Sequence, residues 1–518
     1  MRLNEQRKVF KIHSGVLRKS KWNLEMPLNE AFSKNFDVIV SLNDCQLLRW
    51  IDELNELTNA DQRIKDLKHL IKLEKAKTET SKTKYKIKEL YQELNHLKFK
   101  ADYLSVIIDK DSDYNRANKG FYVNGIKYRR LLGTNGGIKN STIIYVNEKL
   151  YPELKKRIDN GRNMNTKLIP AKLEAYQALV CSGSLPLPMP KGFIVVKDCI
   201  TEFKDNIITI TDNPDGEQPI LKYEDNYLIK HNNSDGCGLM LPSYSAKINK
   251  VLNNQDSTIS GVNTRYAWTK GMIFTFDFIE FAEKIAGTYE ITDVWGQKRD
   301  IRDAEVILTE SMLTLWSCYN SWEEYFENCE KNHYQFCAAK ITPAKLESKR
   351  ETNYQYLNPY KLTDEQIQEL CRPDVEEIKD IMSIDYRKSI VYLAGCDLNE
   401  KNYTKCENYI KSLMIYKETI ADPYVLSVIQ NNIAKRIERL KTGKILIDAN
   451  FSIIGGDLFA LCQSMFGLPI TGLFKQGELY NKYWQDKGAK QLERVHIKRA
   501  SKIIANMITE RKIESSLS

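Results

Sequence analysis

The chain lacks both a long apolar run and a secretion signal. No stretch of its 518 residues approaches the roughly 20 apolar residues that a membrane-spanning helix needs. Residues 1–8 contain basic side chains, but no apolar segment follows them, so no signal peptide is predicted. These absences exclude an integral membrane protein and favour a cytoplasmic location.

Closely spaced cysteine pairs are also missing. The eleven cysteines are scattered from Cys45 to Cys462 without a C-x-x-C pair, which is typical of free thiols in a reducing compartment. Cys329, His333 and Cys337 recur every four residues and would share one face of a helix, as metal ligands can. No fourth ligand is evident. The pattern therefore favours a partly buried helix stripe over a metal site.

A strong excess of one charge is absent too. The 77 basic residues are largely offset by 68 acidic ones, which leaves a formal net charge of +9 and a pI near 8.7. This balance permits contact with nucleic acid without requiring it. A hydrophobic content of 42% and a length of 518 residues are typical of a globular protein with two to four domains.

The hydrophobic pattern predicts an α+β protein in four parts. The parts are a helical N-terminal region (1–115), a β-rich domain (116–290), a helical connector (291–442) and a C-terminal part with renewed β character and a basic tail (443–518).

Particular residues carry these assignments. Apolar side chains at Leu90, Leu94, Leu97, Ala101 and Leu104 alternate in spacing between three and four, which predicts a helical hairpin. Further helices are predicted around residues 308–316 and 425–437, and Thr363-Asp364-Glu365-Gln366 indicates a helix N-terminus. Strands are predicted at 121–123, 142–146, 193–196, 207–210 and 273–278.

Two short motifs carry the most specific chemistry. Residues 234–238 read S-D-G-C-G, and residues 265–272 read R-Y-A-W-T-K-G-M. An Asp-Gly-x-Gly turn allows a tight reversal with positive φ, because glycine has no Cβ. Lys270 could project from a strand end and meet a triphosphate or a nucleic-acid backbone as a point charge, and Arg265 could add a second phosphate contact. From these residues alone, ordinary surface turns remain an alternative.

The motifs resemble the first barrel of the silencing-type, RNA-dependent RNA polymerase superfamily, which is built on double-psi β-barrels and also occurs in phages and mobile elements. That family shows an S/T-D-G-x-G turn followed by an R-[YF]-x-x-x-K-G-[MV] strand. Residues 168–184, Thr309-Glu310-Ser311-Met312 and residues 456–463 are similar to further family segments, more loosely. The resemblance implies a first double-psi barrel within 116–290 and a partial second barrel within 443–518.

The resemblance also implies roles for individual residues. Lys270 would contact the incoming nucleotide or the RNA 3′ end, and Arg265 would support the phosphate path. Asp235, Gly236 and Gly238 would shape the adjoining loop. Lys172 and Arg499 are weaker candidates for backbone contacts, with solvated surface charges as the alternative. The implied partners are RNA or DNA and nucleoside triphosphates.

The metal-binding signature of that family is missing. Its members hold Mg²⁺ with a D-x-D-G-D loop of the second barrel, and no such sequence occurs here. The resemblance therefore implies an RNA polymerase-family protein that is inactive alone. Its catalytic half would be a separate polypeptide, or the gene would be truncated. Two alternatives remain: a non-catalytic nucleic-acid-binding protein derived from such a polymerase, and an unrelated protein in which the turn is coincidental.

Overall fold

A computed structural model describes most of the chain. The described residues are 6–34, 38–55, 60–77, 80–213, 215–216, 218–252, 259–342, 346–352, 357, 361–382, 386–394, 406–475, 477–488, 494–498 and 502–508. The chain divides into two units, the first formed by residues 1–344 and 454–473 and the second by residues 345–453 and 474–518. None of the described helices combines the length and the apolar character needed to cross a membrane.

The N-terminal part of the first unit is built around a seven-stranded sheet. Its strands are β1 (Gln6–His13), β2 (Asn23–Leu24), β3 (Ile39–Asn43), β4 (Phe99–Ile107), β5 (Phe121–Val123), β6 (Ile126–Leu132) and β7 (Thr142–Asn147), in the order β2-β5-β6-β7-β4-β1-β3. The helices around it are α1 (Ser14–Lys19), α2 (Leu28–Lys34), α3 (Gln46–Leu54), α4 (Ala60–Lys75), α5 (Ser81–Lys98), α6 (Asp111–Ala117), α7 (Asn135–Ile138), α8 (Tyr151–Asp159) and α9 (Pro170–Gln177).

This sheet corrects the prediction that residues 1–115 form a helical region. Strands β1 to β4 lie within those residues, and they share one sheet with β5 to β7, so the expected boundary at 115 falls inside the sheet. The predicted helical hairpin is present as α4 and α5, whose core is Ile64, Leu67, Ile71 and Leu94. Helix α5 ends at Lys98, however, and the predicted seam residues Ala101 and Leu104 lie in strand β4.

A second seven-stranded sheet, mixed and curled, forms the remainder of the first unit. Its strands are β8 (Leu185–Pro186), β9 (Phe193–Val196), β12 (Cys237–Met240), β13 (Gly261–Tyr266), β14 (Thr269–Thr275), β17 (Val306–Thr309) and β18 (Cys337–Ile341), in the order β8-β18-β13-β14-β12-β17-β9. Two separate ribbons pair β10 (Ile200–Thr211) with β11 (Ile220–Asn232), and β15 (Glu290–Thr292) with β16 (Lys298–Asp300). The helices are α10 (Pro242–Val251), α11 (Phe278–Phe281) and α12 (Trp322–Lys331).

The strands predicted at 121–123, 142–146, 193–196 and 207–210 are confirmed. The strand predicted at 273–278 is shifted, because β14 ends at Thr275 and helix α11 starts at Phe278. The helix predicted around 308–316 is wrong. Residues up to Thr309 form the buried strand β17, and the chain after it runs through turns. Met312 and Leu315 are buried in those turns, so the apolar spacing there reflects burial of an irregular segment and not a helix face.

The second unit is mainly helical. It contains α13 (Asp364–Met382), α14 (Tyr386–Ala394), α15 (Asn408–Ile415), α16 (Pro423–Lys441) and the short α18 (Lys482–Asp486), with strands β19 (Lys349–Glu351), β20 (Leu446–Asp448), β21 (Glu478–Tyr480), β22 (Arg494–Lys498) and β23 (Lys502–Ile508). The predicted helix start is confirmed, since Thr363 and Gln366 exchange hydrogen bonds as a capping box does. Helix α17 (Leu458–Met465), predicted to lead into a second barrel, belongs to the first unit. The three-stranded sheet β21-β23-β22 falls within residues 443–518, the segment expected to form part of a second barrel. That this sheet belongs to such a barrel remains a prediction.

Candidate functional site

Strands β13 and β14 form a tight antiparallel hairpin that carries both predicted basic residues. Arg265 and Lys270 are direct register partners in this hairpin, so their side chains leave the same face of the sheet. The connecting residue Trp268 adopts φ 59° and buries its ring in the sheet core. The buried Trp268 ring holds the end of the hairpin in place, and it thereby fixes the position of the Lys270 backbone.

The start of strand β12 lies directly beside the start of β14. The two strands run parallel, with Cys237 in register with Met272, and the amide of Met272 donates to the Gly236 carbonyl at 2.8 Å. The Asp235–Gly236 turn and the Lys270–Gly271 pair therefore meet at one edge of the sheet. The sequence motifs predicted this proximity, and the structure confirms it.

Two glycines allow this close approach. A Cβ at Gly271, whose φ is +142°, would lie 2.5 Å from the Gly236 carbonyl oxygen. A Cβ at Gly238 would lie 2.4 Å from the carbonyl oxygen of Ile307 on the neighbouring strand. Gly236 has φ +68°, and no atom lies within 4 Å of the position of a Cβ there. A glycine is therefore favoured at this position only by the backbone conformation of the turn.

A buried carboxylate, Asp198, ties the turn together from behind. Its two oxygens accept hydrogen bonds from the Ser311 hydroxyl at 2.8 Å, the Ser234 hydroxyl at 3.2 Å and the Asn232 amide at 2.7 Å. Ser311 also accepts a hydrogen bond from the Gly236 amide at 2.9 Å. The network links strand β9, the S-D-G-C-G turn and the turn after β17, which holds the T-E-S-M segment.

Asp235 itself points away from this network. It is exposed, and within the described part of the chain its carboxylate forms no hydrogen bond or ion pair. The Ser234 side chain is buried, by contrast, and anchors the turn through Asp198 and through the Cys199 amide, which donates to the Ser234 hydroxyl at 2.8 Å. The turn thus presents one carboxylate to solvent on a rigid base.

Helix α9 brings a third basic residue close to this edge. The Lys270 ammonium lies 5.1 Å from the centroid of the Tyr176 ring, a cation–π contact. Lys172 is exposed and precedes Tyr176 by one turn, so both residues lie on the same face of the helix. The structure therefore brings the helix of Lys172 to the site of Lys270, while the backbone contact expected of Lys172 stays a prediction.

Arg265 is half-buried, and no carboxylate among the described residues pairs with it. Its guanidinium donates to the Thr264 carbonyl at 2.7 Å and to the Asn263 side chain, while its Nε atom is buried with no partner among the described residues. Burial lowers the pKa of this guanidinium below its usual range, and no neighbouring charge offsets that effect. Arg265 also lines a small pocket with Gln46, Ser184, Tyr334 and Cys337.

Residues 456–460, which are distant in sequence, pack against the S-D-G-C-G turn. A Cβ at Gly456 would lie 1.8 Å from the Asn233 carbonyl oxygen, and the Cys199 thiol donates to the Ala460 carbonyl at 3.6 Å. Asp457 caps helix α17 by accepting from the amides of Phe459 and Ala460. The G-D-L-F segment that resembles the approach to a second barrel therefore braces the first unit's turn.

The possible metal cluster is not a site. Cys329 lies on helix α12, His333 follows the helix with φ 54°, and Cys337 begins strand β18, so the three do not share a helix face. Burial raises the pKa of the Cys329 thiol to about 12, and His333 bonds the Glu53 carboxylate instead. Within the described residues, no group of three or more His, Cys, Asp or Glu side chains could hold a metal ion. Arg499 lies outside the described residues.

Sequence reasoning missed Asp198 and Asn232. Neither belongs to a short motif, because the chain separates them by the long ribbon of β10 and β11. The available signal was the position of Asp198 just after the apolar strand β9, where a polar side chain at a strand end can enter a site.

The class of the protein follows from a family match. The family model described as "RNA dependent RNA polymerase" matches residues 68–455, about three quarters of the chain. The chain belongs to this RNA polymerase family.

Individual relatives add detail. The chain is 26% identical over 363 residues to the DNA-directed RNA polymerase YonO of Bacillus phage SPbeta, a match that covers 67% of this chain. The match spans only 40% of the length of that phage polymerase. Among solved structures, the RNA dependent RNA polymerase QDE-1 from Thielavia terrestris superposes with a TM-score of 0.46 at 12% identity, over 79% of this chain and 45% of that chain.

Proposed function

We propose that this chain provides the nucleotide- and RNA-contacting side of an RNA polymerase active site, which transfers nucleotides to an RNA 3′ end. The observation that carries the proposal is the edge where Lys270 and Arg265 lie beside the Asp235–Gly238 turn, in a chain that belongs to the RNA polymerase family. We include both RNA and DNA as templates, because the matching family is that of RNA dependent RNA polymerases and the phage relative is a DNA-directed RNA polymerase.

Lys270 is the residue best placed to contact phosphate. The Lys270 side chain is exposed, and its backbone lies at the start of β14, next to the buried Trp268. The Tyr176 ring contacts the Lys270 ammonium. An ammonium can donate three hydrogen bonds to phosphate oxygens, and phosphate neutralises its charge. Arg265 provides a second positive charge from the same face of the hairpin, and Lys172 a third from helix α9.

The described residues do not fit the Mg²⁺ ions that nucleotidyl transfer by this family implies. Asp198 already accepts three hydrogen bonds, and Asp235 is a single exposed carboxylate, whereas metal-assisted transfer needs clustered carboxylates. The printed sequence also contains no D-x-D-G-D loop. We therefore assign the metal-binding carboxylates to a polypeptide segment outside this sequence, and we expect no RNA synthesis by this chain alone.

A direct test measures binding of a fluorescent nucleoside triphosphate and of a short RNA to the chain. Lys270→Ala is expected to weaken triphosphate binding about tenfold or more, since a charge-assisted hydrogen bond contributes about 1.5–3 kcal/mol. Lys284→Ala is the matched control, because Lys284 is an exposed lysine of the same unit, paired with Glu280. Equal binding by the wild-type chain and Lys270→Ala would overturn the role assigned to Lys270.

A second test separates the polymerase from the alternative, a non-catalytic nucleic-acid-binding protein. The chain is mixed with a polypeptide that carries a D-x-D-G-D loop of this family, together with Mg²⁺, template and triphosphates. RNA synthesis that needs both polypeptides and is lost in Lys270→Ala supports the proposal. Tight RNA binding without any response to triphosphates would support the alternative instead.

A further inference from the structure

The helical hairpin of α4 and α5 carries an unusual concentration of positive charge. Between Lys72 and Lys88 the chain has seven lysines and two glutamates, a net charge of +5 in a chain whose total is +9. All seven lysines are exposed. Neither the motifs nor the candidate site uses this segment.

Six lysines of the hairpin lie on one side of it. On α4, Lys65, Lys68, Lys72 and Lys75 follow each other at spacings of three and four, which places them in one stripe beside the buried Ile64, Leu67 and Ile71. On α5, Lys84, Lys88 and Tyr91 form a second stripe by the same spacing. The Lys75 ammonium joins the two stripes, since it donates to the Tyr91 hydroxyl at 2.9 Å. We call the six lysines of these two stripes the lysine face.

The opposite side of the hairpin has mixed charge. Arg63 bonds the Glu93 carboxylate there at 2.7 Å, and Glu89 lies one turn before Glu93 on the same stripe. Asp66 also falls on that side of α4, away from the stripe that begins at Lys65. The lysine face therefore carries charge of one sign, while the opposite side of the hairpin carries both signs.

We propose that the lysine face binds the sugar–phosphate backbone of nucleic acid, as an arm separate from the candidate active site. The stripe from Lys65 to Lys75 spans about 15 Å at 1.5 Å per residue, a length over which duplex DNA carries about nine phosphate charges. Lysines are flexible point charges, so such a surface holds a backbone without selecting a sequence. This proposal goes beyond the proposed function, and it does not depend on the role of Lys270.

Nucleic acid fits this face better than an anionic membrane does. A membrane-binding helix needs apolar side chains beside its basic ones, so that they enter the acyl boundary. The two stripes contain one aromatic residue, Tyr91, and its hydroxyl is held by Lys75. The exposed apolar residues of α4, Leu70 and Leu73, lie away from the lysine stripe.

The test compares two matched double variants of the full chain. Lys72→Gln/Lys88→Gln removes two charges from the lysine face, and Lys82→Gln/Lys86→Gln removes two charges from the other side of α5. Glutamine has nearly the helix propensity of lysine, so both variants are expected to keep the wild-type circular dichroism spectrum. Fluorescence anisotropy measures binding to a labelled DNA duplex and to a labelled single-stranded RNA at several salt concentrations.

The expected result is a loss of about tenfold in affinity for Lys72→Gln/Lys88→Gln, with a salt slope that is smaller by about 1.8 on duplex DNA. The control variant should stay within about twofold of wild type. Equal losses in the two double variants would overturn the lysine face. The proposal would also be overturned if the chain bound neither the DNA duplex nor the RNA, but cosedimented with phosphatidylserine vesicles or bound polyglutamate.

Discussion

Arg265 and Lys270 stand directly opposite each other across the β13–β14 hairpin, on one face of the sheet. Two like charges in register are unfavourable in a sheet, and the sheet offers neither of them a carboxylate within the described residues. Arg265 instead contacts the Thr264 carbonyl and the Asn263 side-chain oxygen, and Lys270 contacts the Tyr176 ring. An arrangement of this kind is relieved when an anion binds, which is what a nucleotide or an RNA backbone brings.

The close contact of β12 and β14 predicts a large cost for one glycine substitution and a small cost for another. Gly271→Ala adds a Cβ 2.5 Å from the Gly236 carbonyl oxygen at φ +142°, and we expect a loss of about 3 kcal/mol in the free energy of unfolding. Gly236→Ala meets no atom within 4 Å and should cost about 1 kcal/mol for its φ of +68°. Urea denaturation measures both, and equal losses would contradict the close approach.

The Asp198 network predicts a rescue between two substitutions. In the wild-type chain the Asn232 side-chain amide donates to the Asp198 carboxylate at 2.7 Å. Asp198→Asn places a second amide group opposite it, so we expect the free energy of unfolding to fall by about 2 kcal/mol. Asn232→Asp alone should also destabilise, because two carboxylates then face each other. The double variant restores one donor and one acceptor. Its unfolding free energy should exceed that of either single variant, and additive losses would show that the two side chains act independently.

The ion pair of Glu323 and Arg299 predicts a pH dependence of stability. Arg299 donates to Glu323 at 2.6 Å and lowers the pKa of that carboxyl to about 2. The unfolded carboxyl titrates near 4.3, so the pair stabilises the fold fully above that pH. Its contribution is lost as the pH falls from about 4 towards 2. Because Glu323 is 47% exposed, the contribution should be about 1 kcal/mol or less.

The measurement for this pair is the difference in unfolding free energy between wild type and Glu323→Gln across that pH range. The difference should be largest near pH 7 and vanish near pH 2. Glu327→Gln, an exposed position on the same helix, is the control and should show a smaller difference at neutral pH. A difference for Glu323→Gln that does not change with pH would contradict the assignment.

Local sequence patterns predicted some elements of the fold and missed others for a physical reason. The runs at 142–146 and 193–196 are strands because they are short, apolar and β-branched, and the structure confirms both. The strand β1 was not predicted because lysines alternate with its buried residues, and one of those buried residues is the charged Arg7. The helix predicted around 308–316 was wrong because strand β17 ends at Thr309, and the apolar residues Met312 and Leu315 are buried in the turns that follow it.

The candidate site was predictable where its residues form short motifs. Asp235, Gly236, Gly238, Arg265 and Lys270 are grouped in two segments, and the sheet joins those segments at one edge. The support behind them was not predictable. Asp198 lies 37 residues before Asp235 in the sequence and Gly456 lies 221 residues after it, and only tertiary packing brings them to the turn.

The half-buried Arg265 predicts opposite effects on stability and on binding. Its guanidinium has no carboxylate partner among the described residues, and burial lowers its pKa, so the folded state bears a desolvation cost for this charge. Arg265→Met should leave the unfolding free energy unchanged or raise it by about 1 kcal/mol. The same variant should weaken triphosphate or RNA binding about tenfold, because a phosphate contact is lost.

Arg157→Met is the matched control for this prediction. Arg157 is buried as well, but it bonds Glu53 at 3.1 Å and Glu153 at 3.2 Å, so its loss leaves two carboxylates without their partner. We expect Arg157→Met to destabilise the chain by about 2 kcal/mol and to leave ligand binding unchanged in the folded protein. Urea denaturation and fluorescence anisotropy on the same samples separate the two effects. If Arg265→Met destabilises the chain as Arg157→Met does and binds ligand as wild type does, then Arg265 is a structural residue of the hairpin.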